Sequence, residues 1–312
     1  MFYSFSSKEF ANLLKKIRLS LRLSQSDVAS SVGVSVDGLR KIENGHVTPK
    51  FETLVNLSII YKRNLIKLMS QYSIVYDLDS LYNQAQNFID VADTQNLINL
   101  KIDVLSIKSD IVNNGLIEIT EYEQLLYFID SSVQFLINTP DSLDECISYI
   151  FHSLKLTIAS FKINNFENYS YNDFELRHLH LFALAKRRMG DFSFSIKILE
   201  FMINNCNFCN TSDMSMKNIN KLYFSLSYTY HEVQNYESSL FYSDKGIEYS
   251  VKNKRFDELH LLYYRKGIAE YFLNYPNYIN SLNKSITLLE AIQSPLVDTY
   301  RDITLKNYGI LI

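Results

Sequence analysis

Three stretches of the chain, MGDFSFSIKILEFMI, VQNYESSLFYSDKGI and LNYPNYINSLNKSITLL, repeat one spacing. An aromatic residue (Phe192, Tyr236, Tyr278) is followed three positions on by Ser195, Ser239 or Ser281, and nine positions before it stands Ala183, Ser227 or Ala269. The aromatics lie 44 and 42 residues apart. A period of that length, with apolar residues at helical spacing on both sides of the aromatic, predicts helical hairpins stacked in series. The small residues let paired helices cross closely, and the aromatic fills the space at the turn. Composition points the same way. Eight Gly and 4 Pro in 312 residues are too few for the tight turns of a sandwich or barrel, while 47% apolar residues can bury a substantial core. The expected fold class is all-α, and the helical pattern of residues 77–165 is expected to continue the series.

The N-terminal MFYSFSSKEFANLLKKIRLSLR spreads its charges along an amphipathic helix and lacks the apolar core and cleavage site of a signal peptide. No run approaches 18 consecutive apolar residues, so a cytoplasmic protein with no membrane partner is expected. Cys146, Cys206 and Cys209 suit reduced thiols. The C-x-x-C of Cys206 and Cys209 has no second ligand pair at zinc spacing, so neither a metal site nor a cofactor is expected. Catalysis is not expected either. His152, His178, His180, His231 and His260 are scattered without a nucleophile-acid spacing, and there is no phosphate loop or H-E-x-x-H.

Charge divides the chain. Residues 1–70 hold 11 Lys and Arg against 5 Asp and Glu, a balance of +6, and the remainder carries −9, which sums to the net −3. A small basic front and a large acidic back suit a polyanion partner for the first part only. In the front, Ser24 and Asp27 have capping-box spacing for a helix opening at Gln25, with Val28, Ala29 and Val32 inward and Gly33 ending it. Ser35 caps a second helix with Leu39 and Ile42 inward, stopped by Asn44-Gly45. Phe10, Leu13, Leu14, Ile17 and Leu21 form the apolar face of a preceding helix. Pro49 opens a fourth with Leu54 and Leu57 inward, and Asn64 precedes a fifth with Leu65 and Leu68. Two short helices across a tight turn are the sequence form of a helix-turn-helix.

The pattern L-S-Q-x-x-V-A-x-x-x-G-V-S-x-x-x-L-x-K-I-E-N-G followed by P-x-x-E-T-L resembles the phage-repressor (Cro/C1, xenobiotic-response-element) helix-turn-helix family over nearly all of residues 8–70. The resemblance implies that the helix opening at Ser35 enters the major groove of operator DNA. Val36, Asp37 and Lys41 would then face base edges, and Ser24, Gln25, Ser35, Arg40 and Asn44 would meet phosphate. It also implies that Arg18 and Glu43 pair internally. Val36 offers only apolar contact and Asp37 only an acceptor, so sequence preference would rest on Lys41 and on DNA shape. Gly38, inside that helix, admits either close approach to DNA or simple tolerance at an exposed site.

The hairpins resemble the tetratricopeptide repeat, with longer helices or loops, and so imply a concave groove lined by first helices. On that template Arg177, His180, Leu184, Arg187 and Arg188 face the groove from the first hairpin. Lys221, Phe224, Tyr228 and His231 do so from the second, and Tyr263, Lys266, Glu270 and Asn274 from the third. Basic, aromatic and amide groups together suit an extended peptide with a terminal carboxylate. The two parts in one chain resemble the Rgg/PlcR/PrgX/NprR (RNPP) class of Gram-positive peptide-pheromone receptors, most nearly PlcR-like regulators. The resemblance implies a homodimeric transcription regulator that binds paired operator half-sites and senses a short signalling peptide. Ser225 falls where PlcR-like receptors hold the peptide backbone with an Asn, which leaves Asn218, Asn220 or Asn274 as substitutes. The expected domains are 1–70 for DNA, a linker at 71–76, and 77–312 for ligand and dimer. A ligand-independent phage or plasmid repressor, or a protein-docking adaptor, would share much of this pattern.

Overall fold

A computed structural model describes residues 7–70, 72, 74–113, 120–206 and 213–312, and every regular element among them is helical. By internal packing the chain divides into two compact units, Met1–Tyr122 and Glu123–Ile312. The division thus lies well beyond the change of charge near residue 70. No helix among the described residues is long and apolar enough to cross a membrane.

The first unit begins with five short helices: α1 (Ser7–Ser20), α2 (Gln25–Val32), α3 (Val36–Glu43), α4 (Phe51–Tyr61) and α5 (Leu65–Ser70). Phe10, Leu14, Val28, Leu39, Leu57, Tyr61 and Leu65 close one core between them. The local signals act where the sequence puts them. The Ser24 hydroxyl accepts from the Asp27 amide and Asp27 accepts from the Ser24 amide, which completes the capping box. Gly33 ends α2 at φ 76°, a left-handed backbone that costs glycine nothing. Ser35 caps α3 by accepting from the Gly38 amide. Two expectations shift. Leu21 lies beyond the end of α1 and is 40% exposed, because the chain has already turned at Leu21-Arg22. Pro49 is buried ahead of α4, which starts at Phe51 after Lys50. Two longer helices, α6 (Ile74–Asp90) and α7 (Thr94–Asn113), follow and pack against each other.

The second unit is a run of antiparallel helices: α8 (Thr120–Ile137), α9 (Pro140–Thr157), α10 (Asp173–Arg188), α11 (Phe192–Cys206), α12 (Asp213–Glu232), α13 (Tyr236–Asn253), α14 (Leu259–Phe272), α15 (Tyr278–Ala291) and α16 (Val297–Tyr308). The pairs α10–α11, α12–α13 and α14–α15 are the three hairpins of the 44- and 42-residue spacing. Each small residue of that spacing is buried: Ala183, Ser195, Ser227, Ser239, Ala269 and Ser281. The Ser227 hydroxyl donates to the Ser239 carbonyl across the crossing at 2.8 Å, and Ser281 donates to Glu270 at 2.6 Å. At these two crossings serine is small enough to fit and its hydroxyl is satisfied in the gap, whereas the Ser195 hydroxyl is buried with no hydrogen-bond partner among the described residues.

Two glycines hold closer approaches. A Cβ on Gly246 would stand 2.7 Å from Leu262 Cδ2 and 2.9 Å from Tyr223 Cβ. One on Gly267 would stand 2.6 Å from Leu282 Cγ and 3.0 Å from the Leu282 backbone nitrogen. Helix α14 is therefore pressed against both neighbours. Of the cysteines, Cys146 is buried, and burial pushes its thiol up to about 12, so it behaves as a small apolar residue. Cys209 lies outside the described residues, as does the side chain of Cys206. We expect Gly267→Ala to lower the stability of the second unit by about 1–3 kcal/mol in urea denaturation, because the new methyl meets both the branch point of the buried Leu282 side chain and the Leu282 backbone nitrogen.

Candidate nucleic-acid interface and ligand cavity

Helix α3 is fixed from beneath by a buried ion pair. Arg18 of α1 donates from Nε to Glu43 Oε1 at 2.6 Å and from Nη2 to Oε2 at 3.0 Å, and its Nη1 donates to the Leu23 carbonyl at 2.8 Å. The Glu43 hydrogen bonds hold the guanidinium above its ordinary range against the opposing effect of burial. Gln25 Nε2 donates to the same carboxylate at 2.7 Å. Gln25, expected at phosphate, is thus turned toward Glu43 and ties α2 to the end of α3.

The opposite face of α3 is open. Ser35, Val36, Asp37, Arg40, Lys41 and Asn44 are all exposed, as is Ser24 at the start of α2. Among them Asp37 meets Arg40 at 2.5 Å and Lys41 at 2.9 Å, and these two cations, Lys41 first, hold its carboxyl below the usual range. One exposed carboxylate therefore engages both cations that could reach DNA from this helix. Gly38 has open space except toward Ser35 Oγ, which a Cβ would meet at 3.1 Å. Among the described residues, the capping hydroxyl of Ser35 is the side-chain group that a Cβ at position 38 would meet.

In the second unit a cavity of about 650 Å³ opens between α12, α14 and α16, with the starts of α11 and α13 at its rim. Phe224, Tyr228 and His231 of the expected groove line it. Arg187 reaches its wall from α10, with its guanidinium carbon 4.4 Å from the Tyr228 ring centre and its Nε 3.6 Å from Glu232. Burial lowers the Arg187 pKa from its ordinary value. Arg265 on α14 stands against the same ring at 4.6 Å, and against Tyr264 at 5.0 Å. His231 sits in an aromatic box with Tyr236, Phe272 and Tyr308. Burial, aided by Arg265, lowers the His231 pKa to about 4, so its imidazole is neutral at neutral pH.

Other expected groove residues are engaged elsewhere. Arg177 is buried, and Leu184 is half-buried. His180 Nε2 lies 3.0 Å from the Ser225 hydroxyl, which joins α10 to α12, and burial pushes this imidazole down to about 3. Arg188 donates to the Phe135 carbonyl and covers the Phe135 ring on α8. Lys221 pairs with Glu258 at 3.6 Å. Asn220 is buried and donates to the Asp257 carbonyl at 2.7 Å, while the Asn218 side chain lies outside the described residues.

The third hairpin departs most from the repeat template. Lys266 pairs with Asp244 of α13 at 2.6 Å, Glu270 accepts from Ser281 of α15, and Tyr263 lies under Lys284 of α15. Asn274 is exposed in the following turn at φ 60°. On α14 itself, Tyr264 and Arg265 face the cavity. Tyr300, Ile303, Asn307 and Tyr308 of α16 complete the wall. No repeat spacing extends to that helix, so the sequence held no signal for them.

Residues 14–68 match the family described as Helix-turn-helix. The head is a helix-turn-helix domain. No curated protein sequence matches the chain. Similarity to solved structures extends along nearly all of it. Bacillus thuringiensis PlcR, in a complex with the peptide PapR7 and DNA, aligns at a TM-score of 0.72 and 16% identity over 95% of this chain and 98% of that one. The Streptococcus dysgalactiae SHP pheromone receptor Rgg2 aligns at 0.60 and 11% identity over 96% and 99%. ComR from S. thermophilus, in complex with DNA and its signalling peptide ComS, aligns at 0.58 and 12% over 96% and 100%. At these identities the shared property is the fold: a helix-turn-helix head followed by helical hairpins.

Two outcomes follow for the head. Glu43→Ala leaves Arg18 buried without its carboxylate and should cost the head about 3–5 kcal/mol, read by thermal and chemical denaturation. Asp37→Asn frees Arg40 and Lys41. Nonspecific duplex binding should then tighten, and the slope of log affinity against log salt should steepen by about 1–2, since each new phosphate contact contributes about 0.9.

Proposed function

We propose that the protein is a DNA-binding transcription regulator of the RNPP type, whose hairpin unit senses a short signalling peptide and which binds paired operator half-sites as a homodimer. The observation that carries this reading is the joining, in one chain, of a helix-turn-helix head to a hairpin unit holding an aromatic, arginine-lined cavity. The head supplies what groove binding needs: an N-terminally capped α3 with an open face, and Arg40 and Lys41 beside exposed Val36 and Asp37. Ser24, Ser35 and Asn44 flank that face and would contact phosphate, as would Gln25 if it exchanged Glu43 for DNA.

The hairpin unit supplies what a peptide needs. Ring surfaces bury apolar side chains, and polar groups at the wall orient the backbone. The role belongs first to Phe224, Tyr228, His231 and Arg187, joined by Arg265. Ser225, held by His180, acts through the α10–α12 contact. The likeness in fold to PlcR and ComR, each determined with a peptide and DNA, favours this over a repressor that ignores ligands. A transcription regulator of this kind needs no catalytic step.

Mechanistically, peptide binding selects one arrangement of the hairpin unit, and the dimer then offers its two heads at the spacing of the operator. Selection of bound sequences from a random duplex pool tests the DNA half. The expected product is a pair of related half-sites, and Lys41→Glu should abolish its enrichment while leaving the helical content unchanged. A single unpaired motif would contradict the dimer, and unchanged enrichment by Lys41→Glu would contradict the placing of α3.

A further inference from the structure

The polar groups of the α12–α14–α16 cavity are unevenly served. Arg187 has Glu232 as its counter-ion. Arg265 has none: its Nε and Nη1 are buried, and among the described residues neither finds a hydrogen-bond partner. His231 Nδ1 is buried and unpartnered in the same way, with its other nitrogen 3.4 Å from the Tyr308 hydroxyl. Two guanidinium donors withdrawn from water and left unpaired are costly, and rings offer them only partial compensation. The phenols around them remain protonated donors, since burial raises Tyr300 to about 12 and also raises Tyr308. The cavity thus gathers N–H and O–H donors around one uncompensated cation.

We propose that this cavity seats a carboxylate on Arg265, with an aromatic or apolar side chain of the same ligand against the ring wall formed by Phe224, Tyr228 and Tyr236. The proposal rests on the peptide reading and specifies it. A planar guanidinium matches a carboxylate with two parallel N–H donors, and in Arg265 each of the two unpartnered nitrogens, Nε and Nη1, forms such a fork with Nη2, on a residue that lines the cavity. Glu232, also in the wall, disfavours a ligand of higher negative charge such as a phosphate diester chain. The volume of about 650 Å³ lies in the range of small-ligand pockets and takes a peptide segment of a few residues. The carboxylate can therefore come from a peptide C-terminus or from an Asp or Glu side chain beside an aromatic residue.

The test uses the full chain and four probes: N-acetyl-phenylalanine, its amide, N-acetyl-glutamyl-phenylalaninamide and N-acetyl-glutaminyl-phenylalaninamide. Binding is read by saturation-transfer NMR and calorimetry. The acid should bind at least about tenfold more tightly than its amide if the C-terminus is the source, and the glutamyl probe should exceed the glutaminyl one similarly if a side chain is. Arg265→Gln should erase the preference, and Arg265→Lys, which keeps the charge, should retain part of it. Circular dichroism checks that both variants are folded. Equal binding within both pairs, or a preference that survives Arg265→Gln, overturns the proposal. The peptide reading fails separately. A peptide that shifts DNA affinity equally as acid and amide, with or without an internal Glu, keeps that reading and removes the carboxylate seat. A carboxylate preference in a protein whose DNA affinity no peptide alters does the reverse.

Discussion

The hairpin unit depends on helices being allowed to touch. At Ala183, Ser195, Ser227, Ser239, Ala269 and Ser281 the paired helices cross over side chains no larger than serine, and at Gly246 and Gly267 there is no room even for a methyl group. Dense packing of this kind transmits position with little slack. The α13–α14 and α14–α15 contacts determine which side of α14 meets the cavity. Larger residues at these points would spread the helices and open the cavity wall, so the cavity is a consequence of the crossings rather than a separate feature laid over them.

The head applies a different principle, a charge held on one side of a helix so that the other side is free. Arg18 and Glu43 are buried with three further groups arranged around them, Gln25, Leu23 and Tyr61. Such a pair adds little net stability over an apolar equivalent, but it demands one geometry. The orientation of α3 is set by that geometry, and its open face presents Val36, Asp37, Arg40 and Lys41 together. Asp37 then moderates the face. By pairing with both Arg40 and Lys41 it lowers the net positive charge that this face presents.

Much of this was legible in the sequence. Caps at Ser24 and Ser35, the left-handed Gly33 and the inward Val28, Leu39 and Leu57 are local or periodic signals, and the structure repeats them. The spacing of small residues located three hairpins and their crossings. What it could not locate was rotation. A period fixes which residues are equivalent, yet the face that α14 presents depends on Gly246 and Gly267, whose close contacts come from other helices and leave no mark in the repeat. On α14, Tyr264 and Arg265 line this cavity, beside the Tyr263 and Lys266 that the repeat spacing points to. The α16 wall was invisible for a similar reason, since it belongs to no complete hairpin. The resemblance implies a phosphate contact for Gln25, and in the folded head its amide lies on Glu43, a contact 18 residues away in sequence that no local pattern marks.

A DNA-contacting head and a ligand cavity in one chain have regulatory meaning only if filling one changes the other, and such coupling is reciprocal. Fluorescence anisotropy of the full chain on duplex DNA from its own upstream region, with and without a small-peptide fraction of the host's spent medium, measures this directly. The account predicts that the fraction shifts the affinity or its salt dependence. Tight binding indifferent to the fraction would contradict it.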